Sequence, residues 1–369
     1  MAHDDDQSLI EPVLERYRAE MMDYEQFWYL GHRFEYHPLV GYVHAPFASK
    51  TLNISKQGFR GPEYLNRNAH GNPRIAAFGP SALVGIPNSS DDTIITAYMD
   101  RRFEEAGRPA EVMNFGLICG RINNEMRMVS KFLVDYDIDA VVLLSGYNDG
   151  WSFTLGSLWE FQDIADVQMR GFAANRHRAD PVYFLRLAWA AWKRSRLEAQ
   201  AAKASASQVR GAERFFRGRR AQAIDSRPPV PVFETGEKLY LQFLGQIAAL
   251  CAQAGKPFLY VFQPNLFTTA KILSPYEAAA ARSLDNAFGQ EPNLRAARIE
   301  QFSAFYRQLG QKARVVVEAN GGRVFDADAH FAQAPDGTEI FFDECHYREA
   351  GNEIIGAGLA DELMKVLGS

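Results

Sequence analysis

The sequence predicts an α/β fold: a three-layer α/β/α sandwich around a five-stranded, mainly parallel sheet, with a helical insertion. Three observations predict it. Short apolar runs of strand length alternate with helical stretches over most of the chain. These runs are mainly apolar, as expected of strands covered on both faces. The stretches between them are long enough for right-handed crossovers, which put helices on both sides of a parallel sheet.

Residues 8–35 read as a helix with Tyr24, Phe27, Trp28 and Phe34 on one side. Residues 36–72 are turn-rich, with short extended pieces at Gly41–His44 and Gly58–Arg60. The pattern then becomes regular. Arg74–Phe78 is the first strand, and a helix follows from about Thr93 to Ala106. Glu111–Phe115 is the second strand, followed by a helix from about Asn123 to Tyr136, and Ala140–Leu144 is the third. A helix near Glu237–Ala254 leads to the fourth strand, Pro257–Phe262. A helix near Arg298–Ala319 leads to the fifth, Arg323–Phe325, and Glu349–Leu367 is a closing helix. Residues 1–72 thus read as a preface packed on the core, and residues 73–369 as one domain carrying an insertion at about 151–232.

The 369 residues are 47% hydrophobic and 23% charged, enough to bury a full α/β core. A net charge of −5 argues against nucleic acid as a partner. Cys119, Cys251 and Cys345 are scattered, with no metal or disulfide spacing, which fits reduced thiols. The amino terminus is acidic without an apolar segment, so no signal peptide is expected and a cytoplasmic location is. No run of 18 apolar residues predicts a membrane span. The insertion is different in character: between Arg170 and Arg220 thirteen cations face Asp180, Glu198 and Glu213, with Trp189, Trp192, Phe215 and Phe216 among them. It reads equally as a solvated basic hairpin and as a surface for an anionic polymer or membrane, and its place after Gly146–Asp149 suits a lid over the site.

In parallel sheets, ligands gather at the carboxyl ends of the strands. The residues there are Gly79-Pro80-Ser81, Asn114-Phe115-Gly116, Gly146-Tyr147-Asn148-Asp149 and, after the fifth strand, Asp343-Glu344-Cys345-His346. Together they suit acyl transfer. A serine hydroxyl needs a neighbouring base, which an imidazole near neutrality supplies, and a carboxylate orients that ring. Ser81 is thus the candidate nucleophile, His346 the base and Asp343 its partner. The N–H groups of Ser81 and Gly116 and the amide of Asn148 are candidate donors to the oxyanion.

The four blocks FGPSALVG, NFG, GYND and DECH, in this order, resemble those of the SGNH or GDSL-like hydrolase superfamily. The resemblance covers about 74–150 and 235–369 and implies a flavodoxin-like sandwich. It implies the same five residues in the triad and oxyanion hole, and no metal or organic cofactor. Pro80 departs from the small residue usual there and alters the turn, while leaving the Ser81 N–H in place. Residues 36–64 resemble, more loosely, the preface of some bacterial SGNH proteins linked to surface polysaccharide.

Asp149 is expected to cap a turn or helix, His330 and Asp328 to be structural, Cys345 to be packed and Arg60 to form a structural ion pair. The expected function is hydrolysis of an O-acyl ester, an acetyl group on a carbohydrate among the choices. Two other readings stand beside it: transfer of the acyl group to a sugar or other alcohol, and a non-catalytic polysaccharide-binding module.

Overall fold

The computed structural model describes residues 34–49, 51–68, 71–88, 90–156, 158, 231–283 and 292–367. The sheet at its centre has five strands, all parallel: β5 (Arg74–Gly79), β6 (Glu111–Gly116), β7 (Ala140–Ser145), β8 (Phe258–Phe262) and β9 (Arg323–Val324). Their spatial order is β6-β5-β7-β8-β9. The order reverses at β5, so the chain leaves the first strand towards opposite edges, and a crevice opens at its carboxyl end. Nine helices lie among the described residues: α1 (Ser81–Val84), α2 (Ile95–Glu105), α3 (Ile122–Asp135), α4 (Tyr147–Thr154), α5 (Phe233–Gln253), α6 (Pro275–Ser283), α7 (Pro292–Ala319), α8 (Ala327–Phe331) and α9 (Glu349–Leu367).

Alternation along the strands divides the core in two. Ala76, Phe78, Val141, Leu143 and Tyr260 point to one face, where Met128 and Phe132 of α3, Leu244 and Ile247 of α5 and Leu309 of α7 cover them. Ile75, Ala77, Val142, Leu144 and Val261 point to the other, beneath Ile95 and Met99 of α2 and Ile355 and Leu359 of α9. The three-layer sandwich expected from the apolar runs is what the chain forms.

The preface consists of two antiparallel ribbons, β1 (Phe34–His37) with β2 (Gly41–His44) and β3 (Phe47–Ala48) with β4 (Asn53–Ile54). Its Val40, Tyr42, Phe59 and Tyr64 join the core face that contains Phe115 and Phe132. Two local expectations fail here. Phe34 and Glu35 pair as strand with His44 and Val43, so they do not end a helix, and Gly58–Arg60 contributes only one isolated bridge, Arg60 to Ile54. The rest of the expected helix at 8–35 lies outside the described residues, as does nearly all of the basic insertion.

Helix α6 is a further addition. Ser274 and Glu277 cap it reciprocally, Ser274 Oγ accepting from the Glu277 N–H at 3.2 Å and Glu277 Oε2 from the Ser274 N–H at 2.8 Å. Pro275 stands at its first helical position, where no donor is needed.

Candidate active site

Ser81 follows β5 directly and is the first residue of the one-turn helix α1. Its N–H therefore has no carbonyl four residues back to bond, and no acceptor is found for it among the described residues. Gly85 ends the turn in the left-handed region at φ 87°, where a Cβ would strike Ile94. Asn114, buried in β6, braces the turn from below: its Nδ2 donates to Leu83 O at 2.9 Å and to Thr96 Oγ1 at 3.2 Å.

His346 arrives from the other end of the chain. The loop carrying it is held on several sides: Tyr276 Oη donates to Phe342 O at 2.6 Å, Gln263 Nε2 to Cys345 O at 2.9 Å and the Leu266 N–H to Glu344 O at 2.9 Å. A bridge between Phe341 and Tyr347 closes its base. Within the loop the Asp343 carboxylate accepts three hydrogen bonds. Oδ1 takes the N–H groups of Cys345 at 2.9 Å and His346 at 2.8 Å, and Oδ2 lies 2.7 Å from His346 Nδ1. The far nitrogen of the same ring, Nε2, lies 2.7 Å from Ser81 Oγ. Three residues that the sequence placed at strand ends thus meet in one chain of hydrogen bonds.

The electrostatics follow from this contact. Burial would push the His346 imidazole down, but the hydrogen-bonded Asp343 carboxylate outweighs it, with Glu344 adding to the effect, so the ring titrates above its ordinary 6.5. Burial would raise Asp343, and the His346 ring and the two backbone donors reverse that, holding the carboxyl below its ordinary value.

The donors are arranged differently from expectation. Asn148 stands in the first turn of α4, after β7, and its Nδ2 donates to Gly120 O at 2.8 Å, which leaves its second hydrogen for another acceptor. Gly116 does not serve as expected: its N–H is buried and donates to Asn114 Oδ1 at 2.8 Å. The glycine is there for packing, since a Cβ would lie 2.7 Å from Val84 N of α1. Across residues 116–122 the other N–H groups are engaged as well. Leu117 donates to Gly79 O, Ile118 to His44 Nε2, Gly120 to Leu117 O, Arg121 to Asn124 Oδ1 and Ile122 to Asp149 Oδ2. Only the Cys119 N–H has no acceptor among the described residues. Cys119 is also the one non-glycine described residue with positive φ, 61°. Such backbone concentrates at functional sites, but nothing in a cysteine's side chain announces it in a sequence.

The remaining expectations resolve structurally. Asp149 caps the start of α3 through Ile122. Asp328 accepts from the Thr269 hydroxyl and, at 3.0 Å, from the Ala270 N–H, and His330 Nδ1 lies 2.9 Å from Asp326 O. Arg60 is buried in an ion pair with Asp91 at 2.6 Å. Asp343, Cys345 and His346 present donor atoms within 4.8 Å of one another, as a metal site would. They do not fit one: Asp343 Oδ2 and His346 Nδ1 face each other across a hydrogen bond, and burial pushes the Cys345 thiol far up, keeping it protonated.

No protein-family model matches the chain, and no curated protein does. Among solved structures it is similar to an acetylxylan esterase from Geobacillus stearothermophilus at 10% identity, covering 79% of this chain and 94% of that one with a TM-score of 0.40. It is similar to an α/β hydrolase enzyme from the metagenome of Lake Arreo, Spain, at 12% identity, 80% and 95% coverage and a TM-score of 0.40. The lipase/acylhydrolase from Enterococcus faecalis is similar at 13% identity, 80% and 96% coverage and a TM-score of 0.39.

Proposed function

We propose that the protein is a serine esterase of the SGNH type that removes an O-acyl group, an acetyl group on a carbohydrate being the first substrate class to test. The observation that carries this reading is the unbroken series Ser81 Oγ, His346 Nε2, His346 Nδ1 and Asp343 Oδ2, with both links 2.7 Å long. In the reaction, His346 Nε2 takes the Ser81 proton as Oγ attacks the ester carbonyl. It returns that proton to the departing alkoxide when the acyl-enzyme forms. Water then attacks the acyl-enzyme through the same histidine. Asp343 fixes the ring with Nδ1 protonated and stabilises the imidazolium, a positioned base being worth about 10²–10⁴ in rate.

The oxyanion is received by the Ser81 N–H, the second hydrogen of the Asn148 amide and the Cys119 N–H, which takes the part first given to Gly116. Losing one such donor costs about 3–4 kcal/mol of transition-state stabilisation. The experiment is turnover of p-nitrophenyl esters from acetyl to long-chain, with and without sugar acceptors, by wild type and Ser81→Ala. Release of acid by wild type alone supports hydrolysis, and acylated sugar in its place supports transfer. Equal turnover by Ser81→Ala, or none by either protein on any ester, refutes the serine-enzyme reading.

A further inference from the structure

Behind the Asn148 turn lies a buried polar cluster that the proposed reaction does not use. Glu125 of α3 is completely buried. The hydroxyls of Ser145, at the end of β7, and Ser152, in α4, are buried too. Beside them Arg121 and Asp149 form an ion pair, Nε to Oδ1 3.4 Å, in which both side chains are at least nineteen-twentieths buried. Tyr240 and Tyr260, hydroxyl to hydroxyl 2.6 Å, complete the cluster.

One guanidinium faces two carboxyls here. Asp149 has the stronger donors, the Ile122 N–H at 3.1 Å and Arg121, whereas Glu125 has only the neighbouring Ser145 hydroxyl. Burial pushes Glu125 well above the usual carboxyl range and the nearby Asp149 adds to this, while Ser145 and Arg121 oppose it only in part. Burial raises Asp149 too, against Arg121 and the Ile122 N–H, so of the two acids Glu125 is the one that favours its protonated form.

Asn148 and Asp149 are neighbours in sequence, and they grip the same short loop. Asn148 holds Gly120 O, and Asp149 holds the Ile122 N–H and the Arg121 side chain. Arg121 Nη1 also ties Leu158 O at 3.2 Å.

We propose that Asp149 and Arg121 are positioning residues for the oxyanion site. Asp149 and Arg121 lock loop 117–122 to the Asn148 turn, and Glu125 lies beside the pair as an acid outside the lock. The catalytic consequence rests on the serine-esterase reading; the locking of the loop does not. Neither touches the reacting atoms.

The test uses the full chain with Asp149→Asn, Arg121→Lys and Glu125→Gln, reading amide hydrogen exchange over 117–122 together with kcat and KM for p-nitrophenyl acetate. Asp149→Asn is expected to speed exchange there by about tenfold or more. It is expected to lower kcat about ten- to hundredfold with KM within about twofold. Arg121→Lys moves both in the same direction by less, and decides the matter if the first variant does not fold. Glu125→Gln has the same shape and is uncharged like the protonated acid. It keeps kcat within about twofold and leaves the acid limb of the pH profile where it was. Unchanged exchange in both loop variants overturns the proposal, as does a rise in exchange in Glu125→Gln as large as that in Asp149→Asn. Labelling of wild-type Ser81 by a fluorophosphonate reports on the esterase reading separately: without it that reading fails, while the exchange data still decide whether the loop is locked.

Discussion

His44 lies in β2, completely buried, and joins the preface to loop 117–122 through Ile118. Its Nε2 accepts the Ile118 N–H at 3.1 Å, so the ring's proton sits on Nδ1 and is donated to Gly58 O at 2.8 Å. A second proton would have to go on Nε2 and face a donor. Burial pushes this imidazole from 6.5 down to about 4, with the Gly58 bond opposing only in part. Below pH 6.5 the unfolded chain therefore takes up a proton that the folded chain refuses, and stability drains away until the folded ring itself titrates. With each pH unit of displacement worth about 1.4 kcal/mol, the loss between pH 7.5 and 4.5 is about 2.5 kcal/mol. The perturbation is His44→Gln, whose amide can donate to Gly58 and accept from Ile118 but does not titrate. Urea unfolding followed by tryptophan fluorescence gives both stabilities at both pH values. Other acids titrate alike in the two proteins and cancel in the difference. Wild type should lose about 2.5 kcal/mol relative to the variant on acidification. An unchanged gap would refute the reasoning.

Three further outcomes are expected. Arg60 donates to Asp91 and to the carbonyls of Val84, Gly85, Thr51 and Asn88, so Arg60→Ala should cost about 4 kcal/mol in urea unfolding and Arg60→Lys about half of that. Asp100 is pushed by burial up to about 7, against the Val112 N–H it accepts. Its folded form keeps a proton that the unfolded chain has already released, so stability falls as pH rises towards 7. Asp100→Asn should accordingly gain about 4 kcal/mol at pH 8 and only about 0.5 kcal/mol at pH 4. On the proposed mechanism His346 must be neutral to accept the Ser81 proton, so kcat/KM should rise along an acid limb centred above 6.5, and Asp343→Asn should move that limb down while lowering kcat.

Much of this molecule is legible in its sequence. The runs at Arg74, Glu111 and Ala140 each extend one residue further than the apolar pattern suggests, to Gly79, Gly116 and Ser145, because ladder bonds outlast hydrophobicity where a small or polar residue ends a strand. Ser81, Asp343 and His346 could be named because parallel sheets bring strand ends together, whatever their separation along the chain. Gly116 was misleading for a physical reason. A glycine beside a nucleophile turn can be there to free a donor or to admit a neighbouring backbone, and only the Asn114 side chain, folded back onto its N–H, decides which. Cys119 and His44 were illegible because their roles come from a backbone angle and a tautomer. The helix after Ser274 was readable, since Ser-Pro-Tyr-Glu is a capping sequence, but it sits in a stretch with little apolar period.

The most direct measurement is reaction with a fluorophosphonate, followed by peptide mapping of the adduct. A hydroxyl activated by His346 should carry a single phosphonyl group on Ser81 in wild type and none in Ser81→Ala. A folded wild-type protein that remains unmodified, or carries the group on another residue, would mean that the 2.7 Å contact between Ser81 and His346 does not make a nucleophile.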